Sequence, residues 1–265
     1  MTENGKPVLA LDFDGVLSDS LLEAYLLTWN LAGRVDASLE RQLDEAPAID
    51  TIYEFRESHR DHYNAVERIV PLSNRSEDYL VIQKAVEEGR SFSTQQEFDS
   101  FKQSVDRELQ DLFHEEFYLL RYDLAENHRE QWLALNAPYP GIESAVERLA
   151  ENFRLSVATS KDRETVIDLL RAWGLFDHFT EDFVLDKCAG ASKRAHLTVL
   201  REKFGCEFGR MTFIDDKVSH LIDCSGLGVR LLLAGWGYNG PREHELAAGK
   251  GFEILELQQL GSLSA

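Results

Sequence analysis

The sequence contains few cysteines and few basic residues. Cys188, Cys206 and Cys224 are its only cysteines among 265 residues, and no two of them form a close pair. An odd number of widely spaced cysteines argues against a disulfide framework and a zinc site, so we expect reduced structural thiols. Lysine and arginine number 28 against 47 aspartates and glutamates, which gives a formal net charge of −19. Because nucleic acids are bound through basic surfaces, this balance argues against a nucleic-acid partner.

Long apolar stretches are also missing. No stretch is long and apolar enough to span a membrane, and Asp12 and Asp14 interrupt the short N-terminal apolar run, unlike a secretory signal. We find no internal repeat and no low-complexity tract. The hydrophobic content of 43% is enough for a globular core. We therefore expect a cytoplasmic protein with no membrane partner, built as one large domain or as a core with an inserted second domain.

The most informative segment that is present is the run from Val8 to Leu17, VLALDFDGVL. Its continuous apolar part predicts a buried parallel strand. Residues two apart on a strand point to the same side, so Asp12 and Asp14 converge at the carboxyl end, where open α/β sheets bind their ligands. Gly15 then allows a sharp turn. Two neighbouring carboxylates repel each other unless a cation lies between them or one keeps its proton, and either case indicates chemistry.

From about Ser20 to Ala137 the sequence predicts helices only. Ser20 with Glu23, and Thr94 with Glu97, have the spacing of capping boxes at helix starts. Behind the second box, apolar residues at helical spacing predict one long amphipathic helix. These residues are Phe98, Phe101, Val105, Leu109, Leu112 and Phe113.

After the segment Pro138-Tyr139-Pro140-Gly141, strands and helices alternate. Alternation of this kind predicts a parallel sheet. Because the first strand, residues 7–13, belongs to the same sheet, the helical block is an insertion and should lie over the carboxylate pair as a cap. The predicted fold class is α/β, a Rossmann-like parallel sheet core of residues 1–19 and 138–265 with an all-helical cap, residues 20–137, inserted after the first strand. Within the core, we predict helices at 142–151, 163–173 and 193–204 and strands at 154–159, 183–185, 211–214 and 229–233.

Polar groups follow other predicted strands where their apolar runs stop. Thr159 and Ser160 end one run, Asp215 and Asp216 end another, and lysines 187 and 193 lie between them near the start of a helix. Each alone could be a turn or a helix cap. Together, in this order and at the carboxyl ends of strands, they indicate a site.

With these residues the sequence resembles the haloacid dehalogenase superfamily of hydrolases, in its large phosphatase branch. The resemblance is carried by DFDGVL (12–17), VATSK (157–161), the lysine region 187–193 and FIDD (213–216). Pro140-Gly141-Ile142 and Trp236-Gly237-Tyr238 are similar to segments of phosphoglycolate phosphatase-like members. The resemblance covers roughly residues 1–19 and 138–265, and the helical block carries no signature of the family.

The resemblance implies a Mg²⁺-dependent phosphatase that hydrolyses a small phosphomonoester. Asp12 is then the nucleophile that forms an aspartyl-phosphate, and Asp14 is the general acid and later the general base. Attack of a carboxylate on a phosphate dianion is opposed by about 4 kcal/mol for one like-charge pair at ~4 Å and an effective dielectric of ~20. Mg²⁺ offsets this repulsion, bound by Asp12, Asp216 and the backbone carbonyl of Asp14, with Asp215 acting through water or orienting its neighbour.

The resemblance also implies a phosphate-binding set. Thr159 would hydrogen-bond a phosphoryl oxygen, and Ser160, near the start of the next helix, would add backbone amides. A lysine would neutralise the remaining charge. Lys193 fits best because it opens a helix, and Lys187 is the alternative. The family's usual proline after this lysine is replaced by Arg194-Ala195-His196.

Two nearby segments have both a functional and a structural interpretation. Lys161 could contact substrate or could be exposed near a helix start. Trp236 and Tyr238 could line the cleft, but packing beside a glycine-rich turn is the favoured interpretation.

Other functions stay open from the sequence. A phosphomutase, or another phosphoryl-transfer enzyme of the superfamily, uses the same core. A carbon–halogen hydrolase lacks the second aspartate, so Asp14 and Asp216 argue against it. A phosphonate-cleaving enzyme needs a cap lysine, and only Lys84 and Lys102 are available. A non-catalytic binding protein would lack the nucleophile or an acidic ligand, and none is missing here. The expected partner is a small phosphorylated metabolite, and neither its identity nor the oligomeric state is predicted.

Overall fold

The structure is a computed structural model, which describes residues 5–39, 46–190 and 192–264. The chain divides into two compact units. The first unit consists of Met1–Asp19 and Ala137–Ala265, and the second of Ser20–Asn136. The first unit is α/β, and the second is helical wherever the structure describes it.

A six-stranded parallel sheet forms the centre of the first unit, with the order β5-β4-β1-β6-β7-β8. Strand β1 lies between β4 and β6, and chain order reverses there, which is the point where open α/β sheets bind ligands. A short antiparallel pair, β2 with β3, is separate from the sheet. The strands are β1 (Val8–Leu11), β2 (Ser18–Asp19), β3 (Ala137–Pro138), β4 (Arg154–Ala158), β5 (Phe179–Leu185), β6 (Met211–Asp215), β7 (Arg230–Ala234) and β8 (Glu253–Leu255).

The register brings the carboxyl ends of the three central strands to one level. Leu11 at the end of β1 lies opposite Val157 of β4 and Ile214 of β6. All four residues of β1 are fully buried, because a central parallel strand is covered on both faces. This arrangement confirms the predicted Rossmann-like parallel sheet.

The three helices predicted for the α/β unit lie within one residue of their predicted positions. Strand β5 is longer than predicted, and the last two helices and β8 were not predicted. The helices of this unit are Ile142–Asn152, Arg163–Ala172, Lys193–Phe204, Val218–Cys224, Pro241–Gly249 and Leu257–Leu260. Helix Val218–Cys224, directly after the acidic pair, was not predicted either.

The second unit contains only helices among its described residues, 20–39 and 46–136. Its α-helices are Leu21–Val35, Ile52–Ser58, Arg60–Ile69, Asp78–Glu87, Gln95–Ser104, Arg107–Asn127 and Arg129–Leu135. The capping box of Thr94 and Glu97 is confirmed. The single long helix predicted behind it is wrong. Val105 is extended, and the Asp106 side chain accepts the Glu108 N–H, which ends one helix and begins another.

The predicted capping box of Ser20 and Glu23 is also wrong. Ser20 precedes the first helix of the unit, but its side chain makes no capping hydrogen bond. Glu23 is fully buried and accepts hydrogen bonds from Arg121 Nε at 2.9 Å, Arg121 Nη2 at 2.7 Å and Trp132 Nε1 at 2.8 Å. The carboxylate therefore serves a buried ion pair.

The three cysteines are free. None of the helices described here is long and apolar enough to cross a membrane.

Candidate active site

Asp12 lies at the carboxyl end of β1, just before a tight turn. The Asp12 N–H donates to the Ile214 carbonyl at 2.9 Å, which extends the strand pairing by one residue. The Phe13 N–H donates to Asp12 Oδ1 at 2.7 Å. Gly15 has φ +80°, and a Cβ there would lie 2.3 Å from Asp216 Oδ2. Only glycine fits this turn, because both the backbone conformation and the neighbouring carboxylate exclude a side chain.

Lys193 joins the ends of β1 and β6. Its ammonium nitrogen lies 2.7 Å from Asp12 Oδ1 and 3.3 Å from Asp215 Oδ2, and it donates to the Ala158 carbonyl at 2.6 Å. The residue is 3% exposed. It opens helix Lys193–Phe204, whose N-cap Ser192 accepts the Ala195 N–H. The helix start therefore aims a buried cation at the two carboxylates.

Burial and charge set opposite pKa shifts in this group. Burial raises the pKa of Asp12 to about 6, although Lys193 opposes the shift. Burial also disfavours the charged form of Lys193, but Asp12 and Asp215 outweigh it and the pKa of Lys193 is raised. Burial likewise works against ionised Asp215, but His220 and Lys193 outweigh it and lower the pKa of Asp215. The lysine and Asp215 are therefore charged at neutral pH.

His220 belongs to the site and was missed by the sequence analysis. Its Nδ1 lies 2.9 Å from Asp215 Oδ2 and 3.0 Å from Oδ1, and the Lys217 N–H donates to Asp215 Oδ1 at 2.8 Å. The signal was a histidine in a short helix directly after the acidic pair. Asp12, Asp215 and His220 offer ligand atoms within 4.8 Å of one another, which is a possible metal site.

Asp216 is fully buried with one unsatisfied oxygen. Its Oδ2 accepts the Tyr238 N–H at 2.9 Å, but Oδ1 has no hydrogen-bond partner among the described residues. Burial raises the pKa of Asp216 well above its ordinary value, and Asp215 and Asp12 add to the shift while Lys217 opposes it. A buried carboxylate oxygen without a donor is costly, and a hard cation is the partner that carboxylates favour.

These observations favour Asp216 over His220 as a place for a cation. The Lys193 ammonium already lies between Asp12 and Asp215, so a cation there would face a second positive charge. The unsatisfied Oδ1 of Asp216, in contrast, accepts no hydrogen bond from Lys193. The Asp216 carboxylate therefore fits a divalent cation better than the position beside His220 does.

The segment Trp236–Asn239 packs against this acidic group. Trp236 Nε1 donates to the Val16 carbonyl at 3.1 Å, and Asn239 Nδ2 donates to the Asp216 carbonyl at 3.0 Å. A Cβ on Gly237 would lie 2.3 Å from the Gly15 carbonyl oxygen and 2.4 Å from Asp216 Cβ. The segment thus packs against Asp216, in agreement with the interpretation that Trp236 and Tyr238 pack beside a glycine-rich turn.

Asp14, Thr159 and Lys161 form a second group. Lys161 Nζ lies 3.0 Å from Asp14 Oδ1, and the Lys161 N–H donates to Thr159 Oγ1 at 3.1 Å. Thr159 is 1% exposed and Lys161 is 3% exposed. Of the two interpretations of Lys161, solvent exposure near a helix start is therefore excluded, because the side chain turns inward to Asp14.

The helix that follows β4 begins after Ser160. It runs from Arg163 to Ala172, and its N-cap is Asp162, which accepts the Thr165 N–H at 2.8 Å. Ser160 is half-buried and lies before the helix. The predicted helix start at residue 163 is confirmed, since the Asp162 cap sets it there. Ser160 itself is not part of the helix. Of the two lysines, Lys193 is the one beside Asp12, and Lys187 lies half-buried in the turn after β5.

Comparison with known proteins agrees with this geometry. The family model described as haloacid dehalogenase-like hydrolase matches residues 7–221. No curated protein matches the chain. A haloacid dehalogenase-like hydrolase from Streptococcus pneumoniae is similar in structure, with 13% identity, a TM-score of 0.60 and coverage of 99% of this chain and 98% of that one.

Two further solved structures are similar over nearly the whole chain. One is described as a predicted phosphoglycolate phosphatase from Haemophilus somnus, with 18% identity, a TM-score of 0.62 and coverage of 98% and 97%. The other is described as a predicted phosphatase from Clostridium acetobutylicum, with 15% identity, a TM-score of 0.58 and coverage of 97% of both chains. At such identities these structures establish the fold. The family model spans most of the sequence, including Asp12, Lys193 and Asp216, and establishes that the chain belongs to the haloacid dehalogenase-like hydrolases.

Proposed function

We propose that this hydrolase is a Mg²⁺-dependent phosphatase that cleaves a small phosphomonoester through an aspartyl-phosphate on Asp12. The observation that carries the proposal is the buried Lys193 ammonium shared by Asp12 and Asp215, together with the unsatisfied oxygen of Asp216, the residue after Asp215. Such a group provides a nucleophile, a fixed cation and a place for a second cation within one cluster. Two similar structures are described as phosphatases, which supports the same reaction class.

The residues that would hold Mg²⁺ are Asp12, Asp216 and the backbone carbonyl of Asp14, with Asp215 acting through water or orienting its neighbours. Oxygen ligands of this kind are the ones that Mg²⁺ prefers. When bound, Mg²⁺ would neutralise phosphoryl charge and reduce the repulsion between that group and the attacking carboxylate.

The reaction has two steps. A carboxylate oxygen of Asp12 attacks phosphorus, the bond from phosphorus to the ester oxygen breaks, and Asp14 gives its proton to the departing alkoxide. Asp14 then takes a proton from water, and the water oxygen attacks the phosphorus of the aspartyl-phosphate. The bond to Asp12 breaks, inorganic phosphate leaves, and both carboxyl groups return to their initial state.

The phosphoryl group would be held by Thr159, Ser160 and Lys193. Thr159 Oγ1 accepts the Lys161 N–H, so its hydroxyl hydrogen can donate to a phosphoryl oxygen. The three N–H groups of Lys193 face Asp12, Asp215 and the Ala158 carbonyl. A phosphoryl oxygen must therefore take the place of one of these partners, which ties substrate binding to the charge of the cluster.

We assign catalysis to residues 1–19 and 138–265, the α/β catalytic core, and selection of the substrate to the helical cap, residues 20–137. The substrate is a small phosphorylated metabolite, and a cytoplasmic location would supply it. This assignment rests on the placement of every proposed catalytic residue in the first unit.

The test is release of phosphate from p-nitrophenyl phosphate with Mg²⁺, and its loss with EDTA. We expect Asp12→Asn to abolish turnover and Asp216→Asn to raise the Mg²⁺ concentration needed for half-maximal rate. The exposed Asp177, changed to asparagine, is the matched control and should turn over like the wild type. Turnover that survives Asp12→Asn would refute the proposed nucleophile. A panel of phosphorylated metabolites then identifies the substrate, and transfer of phosphate to a second sugar hydroxyl instead of water would identify a mutase.

A further inference from the structure

Lys161 is a buried lysine to which the proposed reaction gives no role. Its side chain is 1% exposed, whereas that of its partner Asp14 is 31% exposed. A buried ammonium must be paired, because removing it from water is costly. Here the pairing is with Asp14, at 3.0 Å from Nζ to Oδ1.

The side chain of Lys161 lies near a stacked aromatic pair. Its ammonium nitrogen lies 5.9 Å from the centre of the Phe13 ring, and Phe13 stacks on Trp173 at 5.3 Å with an interplanar angle of 5°. Its backbone N–H donates to Thr159 Oγ1. The Lys161 backbone is therefore hydrogen-bonded to the residue that follows β4, and its ammonium group lies near an aromatic stack.

Asp14 has a different environment from Asp12. Asp12 is 5% exposed and is fixed by Lys193 and the Phe13 N–H. The side chain of Asp14 is 31% exposed and pairs with Lys161, so it is less confined than that of Asp12. Each carboxylate of the pair thus contacts a different lysine, Asp12 with Lys193 and Asp14 with Lys161.

We propose that Lys161 is a positioning residue that holds the Asp14 carboxyl group in line with the departing ester oxygen. The inference rests on the proposed function, in which Asp14 delivers a proton to that oxygen. Small losses of orientation at a reacting group cost up to about 100-fold in rate. The cost should depend on the leaving group, because a weakly basic one departs without a proton and a strongly basic one does not.

The experiment compares kcat/KM across para-substituted phenyl phosphates, from p-nitrophenyl to p-methoxyphenyl, and an alkyl phosphate. This parameter reports phosphoryl transfer to Asp12 and omits the later hydrolysis step common to all substrates. Lys161→Met, which removes the ammonium but keeps an apolar stem, should lower kcat/KM about 10- to 100-fold for the alkyl ester and less than about 3-fold for p-nitrophenyl phosphate. Lys161→Gln, which keeps a donor, should lie between the methionine variant and the wild type.

Two controls separate positioning from a structural role. Lys6→Met removes a half-buried lysine that donates to the Ala150 carbonyl, and it should leave the leaving-group dependence unchanged. In an Asp14→Asn background, Lys161→Met should lower kcat/KM for the alkyl ester no further, because the two residues act as one unit.

An equal loss for all substrates, or a rise in KM alone, would show that Lys161 binds substrate or supports the fold, and would overturn the inference. A wild-type leaving-group dependence in Lys161→Met, or in Lys161→Gln should the methionine variant not fold, would do the same. Either result leaves the proposed function standing. Absence of turnover by the wild type itself, or turnover that survives Asp12→Asn, would instead refute the proposed function.

Discussion

Replacing Lys193 with methionine tests the charge balance of the site most directly. The change removes an ammonium that lies 2.7 Å from Asp12 and 3.3 Å from Asp215. At an effective dielectric of about 20, each contact corresponds to a Coulomb attraction of about 5 to 6 kcal/mol, much of which is offset by desolvation. Removing one partner of a buried ion pair costs about 3 to 5 kcal/mol. We expect Lys193→Met to lower the free energy of unfolding by this amount at pH 8 in metal-free buffer.

The loss should depend on pH. Burial raises the pKa of Asp12 to about 6 even against the opposing charge of Lys193, so removing the lysine must raise this pKa further. A carboxyl group with a raised pKa binds protons more tightly in the folded state than in the unfolded state. Its destabilising effect is therefore complete above the folded pKa and fades as the pH falls toward the unfolded value. Less than half of the loss should remain at pH 5.

The measurement is urea unfolding followed by tryptophan fluorescence at pH 5 and pH 8 with EDTA present. Lys187→Met is the matched control. Because Lys187 is half-buried in a turn, its loss should cost less than about 1 kcal/mol at either pH. An equal loss for Lys193→Met at both pH values, or a loss under about 1 kcal/mol at pH 8, would refute the charge argument.

Three further changes test other parts of the molecule. Gly237→Ala should destabilise the fold by about 1 to 3 kcal/mol and weaken the response of activity to Mg²⁺, because a Cβ at this position has no space. At Gly249 a Cβ meets no atom within 4 Å, so Gly249→Ala should have no such effect in the same unfolding and activity assays. Glu23→Gln should cost about 3 to 5 kcal/mol in urea unfolding, because it leaves the buried Arg121 charge without its carboxylate; a cost under about 1 kcal/mol would contradict the buried pairing. Burial and the Lys193 charge lower the pKa of His196 to about 4, so the unfolded state binds the proton more readily and stability should fall by up to about 3 kcal/mol as the pH drops from 6.5 to 4. His196→Leu should flatten that part of the stability profile, and an unchanged slope would argue against the assignment.

The elements that carry the site were predictable because their sequence signals are local. The apolar run before Asp12 predicts a buried strand without reference to the rest of the chain, and β1 is fully buried in the structure. Parallel pairing then requires the residues after β1, β4 and β6 to meet at one edge. The predicted start of helix Lys193–Phe204 was correct, since Ser192 is a good N-cap.

The errors share a different cause. Glu23 has the spacing of a capping residue, yet its carboxylate is used by Arg121, which is distant in sequence and close only in the folded unit. The break at Val105–Asp106 depends on an aspartate cap that the apolar spacing obscures. In both cases a local pattern competed with another interaction of similar or greater strength, and the pattern alone could not rank them.

The sequence by itself determined the parallel α/β fold and the order of the polar residues that follow its strands. The sequence favoured Lys193 over Lys187 and left Lys161 open. Only the tertiary structure decided that Lys193 and Lys161 both face carboxylates, because the sequence does not distinguish a lysine in solvent from one beside a buried carboxylate. Lys193 and Lys161 are buried because the sheet register places carboxylates within reach of their ammonium groups. The unsatisfied oxygen of Asp216 has the same origin, since burial of a carboxylate without a donor is a property of packing around it and not of the residue.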